Sequence, residues 1–539
     1  MIASSRLPAH SRSCGRELFL RLALGLVMGG GLLTRASAAD APPPRPNIVF
    51  IVADDLGYGD LGAYGATRIK TPHLDQLAAQ GVRFTNGYAP SSTCTPTRYS
   101  MFTGEYAWRQ SSKRTGILPG DAPLCIEPGR LTMPEALRRA GYVTGAIGKW
   151  HLGLGDGTKA VDFNGRIAPG PLEVGFDYAH IIPATVDRVP SVWIENHRVV
   201  GLDPADPITV SYEADLRVEP NGTDHPEALR YRADKQHSGT IINRISRIGY
   251  MAGGKSARFR DEELTPTVVQ KSVQFLERNA GKPFFLYVGL FEPHVPRVAE
   301  PPFEGKNELG VRGDVIQQMD AAAGAILQTL DRLHLAENTL VIFTSDNGPV
   351  LFDGYFDGAA ENVKDHRPAG GLRGWKYLVY EGGCRVPLIA RWPARLQPRV
   401  TEQMFNLVDL PATLAHLTGA TLSPAQSPDS MDLSAVLLGA TTENVRDYTV
   451  LHGISDTLAL RAGDWKYIPA TVQGKASGTG GANPSDARFA PNRIPEPLLF
   501  NLREDPAEQT NVIAKFPEKA AELQRKLDEI RQRATHVAP

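Results

Sequence analysis

Three short, uninterrupted apolar runs organise the chain: Asn47–Ala53 (NIVFIVA), Pro283–Leu290 (PFFLYVGL) and Thr339–Thr344 (TLVIFT). A strand with one wet face alternates apolar and polar residues, and these runs do not, so they predict strands buried on both faces of a mostly parallel sheet. Helical stretches with apolar spacing of three and four precede them, as in Val315–Leu333, and the alternation predicts a large doubly wound α/β core flanked by helices. Each run ends in a polar cluster: Asp54-Asp55, Glu292-Pro293-His294 and Ser345-Asp346-Asn347. Ligands of open α/β sheets bind beyond the carboxyl ends of the strands, which gathers these clusters at a candidate site. From about Thr449 the segments shorten (YTVLHG, TLALRAGDWKYI) and predict a small antiparallel sheet. A glycine- and serine-rich loop from Gly474 to Ser485 interrupts it, and an amphipathic helix from about Pro517 to Arg533 closes the chain. The predicted organisation is a main α/β domain over residues 39–445 and a smaller C-terminal α+β subdomain over 446–539.

Residues 1–38 do not belong to that pattern. Arg6, Arg12, Arg16 and Arg21 stand in a polar leader, an apolar run follows from Leu22 to Leu33, and Ala36-Ser37-Ala38 offers a small-x-small cleavage site. This predicts a secretory signal peptide and an exported, periplasmic or extracellular protein. The run of about a dozen apolar residues falls short of the roughly 20 that cross a bilayer, so no stable membrane anchor is expected. Removing the leader takes away five arginines and Glu17, leaving 53 basic against 58 acidic residues and shifting the net charge from -1 to -5. Neither value supports a nucleic-acid partner. Glycine and proline make up 94 of 539 residues, below the roughly 25–30% of low-complexity chains, and four cysteines cannot build a disulfide framework.

Adjacent carboxylates at the end of an apolar strand repel each other and call for a counter-cation. Taken alone, Asp54-Asp55 and Asp346-Asn347-Gly348 each read equally as turns or helix caps. Taken together at one sheet edge, three carboxylates and an amide oxygen form a hard-oxygen set suited to Ca²⁺, with Mg²⁺ as the other choice, and poor for zinc. The stretch Ser92-Thr-Cys94-Thr-Pro96-Thr-Arg98-Tyr-Ser-Met-Phe-Thr-Gly104 carries the other chemistry, although composition alone reads its cysteine as a buried, inert thiol.

That stretch resembles, over its whole length, the signature of the type I, formylglycine-dependent sulfatases: Cys-x-Pro-x-Arg followed by two intervening residues, two apolar residues and Thr-Gly. A second signature of the family matches Gly141-Tyr-Val-Thr-Gly-Ala-Ile-Gly-Lys149-Trp-His151, and weaker blocks extend the likeness from about Asn47 to Asn511. The resemblance implies an arylsulfatase-like enzyme of the alkaline-phosphatase-like superfamily. It implies that a maturation enzyme converts Cys94 to Cα-formylglycine, whose hydrate is the nucleophile, and that Asp54, Asp55, Asp346, Asn347 and the modified Cys94 bind one divalent metal, usually calcium. It further implies that Arg98 holds the aldehyde hydrate, that Lys149 and His151 contact sulfate and take up the hydroxyl proton, and that His294 with Lys376 protonates the leaving oxygen. Arg188, Arg297 and His366 lie near these blocks or in loops that could form a substrate mouth.

The expected activity is hydrolysis of sulfate esters by S–O cleavage. The length of residues 155–280 favours a sulfated carbohydrate or polysaccharide over a small aryl ester. Two alternatives stay open at this level: a phosphomonoester or phosphonate hydrolase of the same superfamily, and an inactive carbohydrate-binding homologue. Cys125 and Cys384 are the remaining candidates for a disulfide.

Overall fold

The computed structural model describes residues 45–110, 116–454, 457–471 and 494–533. The leader and the whole of the glycine- and serine-rich loop therefore lie outside the described residues. The main sheet has ten strands: β1 (Asn47–Ala53), β2 (Val82–Tyr88), β3 (Val143–Lys149), β4 (Tyr178–Ile182), β5 (Ile194–Glu195), β6 (Arg198–Val199), β7 (Phe284–Gly289), β8 (Thr339–Ser345), β9 (Leu388–Arg391) and β10 (Arg399–Asn406). Their order is β10-β2-β9-β8-β1-β7-β3-β4-β5-β6. Strands β8, β1, β7, β3 and β4 run parallel in register, and β9 and β5 enter antiparallel.

The three uninterrupted apolar runs are three neighbouring central strands, β8, β1 and β7, and every residue of all three is buried. Alternate residues of β1 feed opposite layers: Ile48, Phe50 and Val52 join one apolar cluster, while Val49, Ile51 and Ala53 join the other. The second layer is closed by helices α1 (Pro72–Ala79), α2 (Leu264–Asn279) and α3 (Val311–Arg332), of which α3 buries Val315, Met319, Ala322, Ile326 and Leu330 along one stripe. Helix α3 starts four residues earlier than the apolar spacing predicts. Its first turn, Val311-Arg312-Gly313-Asp314, is mostly polar, yet Arg312 and Asp314 are buried because they pair internally, Arg312 with Asp60 and Asp314 with the backbone of residues 305–307.

The predicted C-terminal sheet is present as four antiparallel strands, β11 (Tyr448–His452), β12 (Leu458–Ala462), β13 (Trp465–Ile468) and β14 (Leu498–Asn501). The terminal helix, α4 (Pro517–Gln532), seats Leu523, Leu527 and Ile530 against its apolar face. Cys125 and Cys384 are buried in different apolar clusters, and no disulfide joins them. Among the described residues no helix is long and apolar enough to cross a membrane.

One close approach fixes the edge where the site forms. Gly348 follows Asn347, and a Cβ there would lie 1.9 Å from the carbonyl oxygen of Gly382. Gly348→Ala is expected to cost about 1–3 kcal/mol, as overpacking does, and to displace Asn347. Denaturant unfolding combined with kcat/KM checks this: a variant of unchanged stability and activity would show that the contact does not constrain the edge.

Candidate active site

The four central strands end side by side, and each delivers its polar residues to the same edge. Asp54 and Asp55 follow β1, Asp346 and Asn347 follow β8, His294 lies in the turn after β7, and Lys149 ends β3 with His151 two residues on. The turn that delivers them is tight: Asp55 and His151 adopt left-handed backbone angles (φ 64° and 55°), and the amide of Leu56 donates to Ser345 Oγ at 2.9 Å. Cys94 is the first residue of the helix Cys94–Thr103, so it sits where unpaired N–H groups and the helix dipole favour an anion. Its neighbours Ser92 and Thr93 and the four residues after it are buried.

Asp54, Asp55 and Asp346 each have a cationic partner. Lys149 Nζ stands 2.5 Å from Asp54 Oδ2 and 3.8 Å from Asp346 Oδ2, Arg98 binds Asp346 Oδ2 through Nη2 at 2.7 Å and Nε at 3.0 Å, and Lys376 Nζ donates to Asp55 Oδ2 at 2.8 Å. Tyr287, from β7, accepts a bond from Arg98 and donates to the carbonyl of Lys149 at 3.1 Å. Burial, and then the charges of Asp346 and Asp55, push the Asp54 carboxyl well above the usual range against the pull of Lys149. Burial works on Asp346 too, but Arg98 and Lys149 outweigh it and hold that carboxyl below its ordinary value. Burial likewise pushes the Cys94 thiol up to about 12, only partly offset by Lys149 and Lys376, so the unmodified side chain is a protonated thiol and a poor nucleophile.

The donor set fits a hard cation. Ligand atoms of Asp54, Asp55, Cys94 and His294 all lie within 4.8 Å of one another, and two buried oxygens, Asp54 Oδ1 and Asn347 Oδ1, have no hydrogen-bond partner. Orphaned buried oxygens are costly, and a divalent cation satisfies both while relieving the repulsion at Asp54.

The two histidines are held in defined tautomers. His151 Nε2 lies 3.0 Å from the carbonyl of Leu118, which can only accept, so Nε2 carries the proton and the buried, unpartnered Nδ1 is the basic nitrogen. Burial, followed by the charges of Lys149 and Arg188, keeps this imidazole neutral well below its ordinary pKa. His294 donates from Nδ1 to the carbonyl of Val295 at 2.5 Å and turns Nε2 toward Asp55, 3.8 Å away. Burial and Lys376 bring its pKa down to about 4.

Sequence patterns did not single out two further acids, Asp353 and Asp187. Asp353 is buried beside Lys376, 3.0 Å from Nζ, and accepts from the hydroxyl of Tyr377 at 2.7 and 2.8 Å. Asp187 is buried between Arg188, His237 and His294, whose charges hold its carboxyl well below the usual range in spite of burial. Both acids are single residues in unpatterned loops, and the one available signal was a lone acid in an otherwise apolar stretch, as in Pro349–Phe352 before Asp353. Of the three expected substrate residues, Arg188 pairs with Asp187 at 3.0 Å, interacts electrostatically with Cys94 and lines a cavity of about 350 Å³ with Tyr212 and Tyr250. Arg297 and His366 are committed to protein partners. The guanidinium of Arg297 is fully buried on Asp357 and the carbonyls of Pro293, Val350 and Leu351, and His366 bonds the buried Asp60 at 2.8 Å beside Arg312. Both brace loops, since their polar atoms are committed internally.

The Sulfatase family model matches residues 46–420. The N-acetylgalactosamine-6-O-sulfatase of Bacteroides thetaiotaomicron is 46% identical over 91% of this chain and 94% of its own. Arylsulfatase A of Bos taurus is 33% identical over 91% of this chain and 88% of its own. A solved 6S-sulfatase structure, described under the metabolism of multiple glycosaminoglycans by the same Bacteroides species, superposes with a TM-score of 0.86 at 46% identity, covering 91% of this chain and all of that one.

Two outcomes follow from the charge arrangement. Adding Ca²⁺ after chelation is expected to raise the thermal midpoint, because a ligand held only by the folded state stabilises it; a midpoint indifferent to Ca²⁺ and Mg²⁺ counts against the cation site. Asp353→Ala leaves Lys376 with one buried partner, and removing half of a buried pair is expected to cost about 3–5 kcal/mol and to lower kcat/KM. Unaltered activity in that variant would detach Asp353 from the site.

Proposed function

The chain belongs to the sulfatase family of sulfuric ester hydrolases, and from that premise we propose that it removes the 6-O-sulfate of N-acetylgalactosamine or a closely related sulfated sugar, after export from the cytoplasm. The observation that carries the chemistry is the buried Cys94 at a helix N-terminus, facing Lys149, Lys376 and the orphaned oxygens of Asp54 and Asn347. The sugar class is supported by the relative of 46% identity, and export by the leader sequence.

In this reading Cys94 is matured to formylglycine by a separate enzyme. The hydrated aldehyde supplies one oxygen for attack on sulfur and a second whose deprotonation re-forms the carbonyl and frees sulfate, a release step that serine or cysteine lacks. Asp54, Asp55, Asp346, Asn347 and the modified residue would hold the divalent cation, calcium or magnesium, and the cation would supply Lewis-acid chemistry there. The chain's own cations do the remaining electrostatic work. Lys149 and Lys376 face the sulfuryl group from two sides and spread its developing charge, and Arg98, anchored to Asp346 and Tyr287, keeps the hydrate in place. His151 takes the hydroxyl proton at Nδ1, its only unprotonated nitrogen. His294 turns Nε2 to the same side as an acceptor, and Lys376, kept protonated by Asp353 and Asp55, gives the proton to the leaving sugar oxygen.

Steady-state rates on defined saccharides test the assignment. Sulfate release from the 6-sulfated N-acetylgalactosamine unit is expected to exceed release from its 4-sulfated isomer, and an aryl sulfate is expected to turn over faster than the matching aryl phosphate. Faster phosphate turnover would assign the site to a phosphoester hydrolase. Mass spectrometry of the Cys94 peptide from active protein is expected to find the aldehyde, and an unmodified thiol there would remove the nucleophile from the scheme.

A further inference from the structure

The two loops that bring Asp353 and Lys376 together also carry an aromatic shelf. Phe352 precedes Asp353 in sequence, and Trp375 precedes Lys376. The charged members are buried 3.0 Å apart, whereas Trp375 is 41% and nearby Phe356 53% exposed. Phe352 packs on Phe356 with ring centroids 5.0 Å apart, and Phe352 and Trp375 line one cavity of about 360 Å³ with Pro349 and Pro368. That volume lies within the range of small-molecule pockets.

The shelf is fastened to the reacting groups. The amide of Lys376 donates to the carbonyl of Pro349 at 2.9 Å. Gly57, two residues after Asp55, lies so close beneath that a Cβ there would meet Pro368 O at 2.1 Å and Pro349 Cγ at 2.8 Å. Exposed aromatic side chains grouped beside a cavity mark a binding surface. The guanidinium of Arg232 lies 5.6 Å from the Phe356 ring centroid and sets a cation at the rim of the shelf, the charge complement of an anionic glycan.

We propose that Phe352, Phe356 and Trp375 form a stacking subsite for the pyranose ring that adjoins the sulfated sugar in an anionic oligosaccharide. One face of a pyranose presents C–H groups, which lose apolar area to a flat aromatic ring, while its hydroxyls stay at the edge in water. The subsite rests on the sulfated-carbohydrate reading of the neighbouring site. It makes the enzyme a reader of the chain that bears the sulfate as well as of the sulfated sugar.

The test compares a 6-sulfated N-acetylgalactosamine monosaccharide with a disaccharide in which the same sulfated unit is joined to a uronic acid. The ratio of kcat/KM, disaccharide over monosaccharide, is expected to exceed one in the wild-type protein. Trp375→Ala is expected to lower that ratio about fivefold through KM, the worth of one aromatic contact, and Trp375→Phe to recover most of it. A ratio that Trp375→Ala leaves in place overturns the proposal, as does a loss shared equally by both substrates that Trp375→Phe does not recover. If sedimentation shows that Trp375→Ala changes the oligomeric state while the ratio holds, the shelf belongs to a second copy of the chain and the proposal falls. Wild-type protein active on an aryl sulfate but inert toward both saccharides would overturn the carbohydrate reading and the subsite with it. An active wild type with an unmoved ratio overturns the subsite alone.

Discussion

Three carboxylates buried at one sheet edge set the terms for everything around them. Asp54, Asp55 and Asp346 are each no more than 1% exposed, and a buried, uncompensated carboxylate costs several kcal/mol. The chain meets that cost with Lys149, Lys376 and Arg98, drawn from a strand end, a long loop and a helix. Repulsion among the acids is what makes a further cation welcome, and the orphaned oxygens of Asp54 and Asn347 are the places left for it. The basic groups serve as counter-charges that let the edge fold, and in the proposed reaction the same groups would form the positive wall that faces the anionic substrate. With a net charge of -1, the chain as a whole does not attract sulfate, so attraction is a property of this local cluster.

Topology explains why these groups meet. Strands β8, β1, β7 and β3 are consecutive in the sheet and parallel, so their carboxyl ends and the residues after them share one rim. Residues separated by nearly 300 positions in sequence become neighbours without any long excursion: the side-chain Nδ2 of Asn347 donates to Asp55 Oδ1 at 2.7 Å. What the strands do not provide comes from two additions. The helix beginning at Cys94 points its N-terminus at the rim, and the segment between β8 and β9 folds over it with Asp353 and Lys376.

The residues that sequence reasoning found are those whose neighbours in sequence announce them. Asp54-Asp55 and Asp346-Asn347 terminate apolar runs that only a buried parallel strand explains, and Cys94, Arg98, Lys149 and His151 lie in long contiguous signatures. All of these converge on the one site. Asp353, Asp187 and Tyr287 escaped because their partners are distant in sequence or lack a motif: Asp353 matters through Lys376 and Tyr377, and Tyr287 is one apolar-looking position of a buried strand until its hydroxyl reaches Arg98. Arg297 and His366 behave differently. A charged residue close in sequence to a catalytic block looks available to substrate, but burial forces it to satisfy its polar atoms internally, and both side chains end on loop carbonyls or on Asp60 and Asp357.

The C-terminal sheet is a structural part of this site, not an appendage to it. Ser92, two residues before Cys94, donates its amide to the carbonyl of His452 at 2.8 Å and accepts the amide of Tyr377 at 2.8 Å, so strand β11, the nucleophile's approach and the residue after Lys376 are tied in one place. Deeper in, Glu381 accepts from Tyr88 at 2.6 Å and from Lys466 of β13 at 3.0 Å, and its amide donates to Glu508 at 2.6 Å. Lys466 is fully buried between Glu381 and Glu508, 3.0 Å from each. Glu381 is also paired with Arg385 at 2.6 Å, so the second sheet supplies one of its two close cationic partners, five residues from Lys376. The buried Lys466–Glu381 pair thus ties the four-stranded sheet to the segment that carries Lys376.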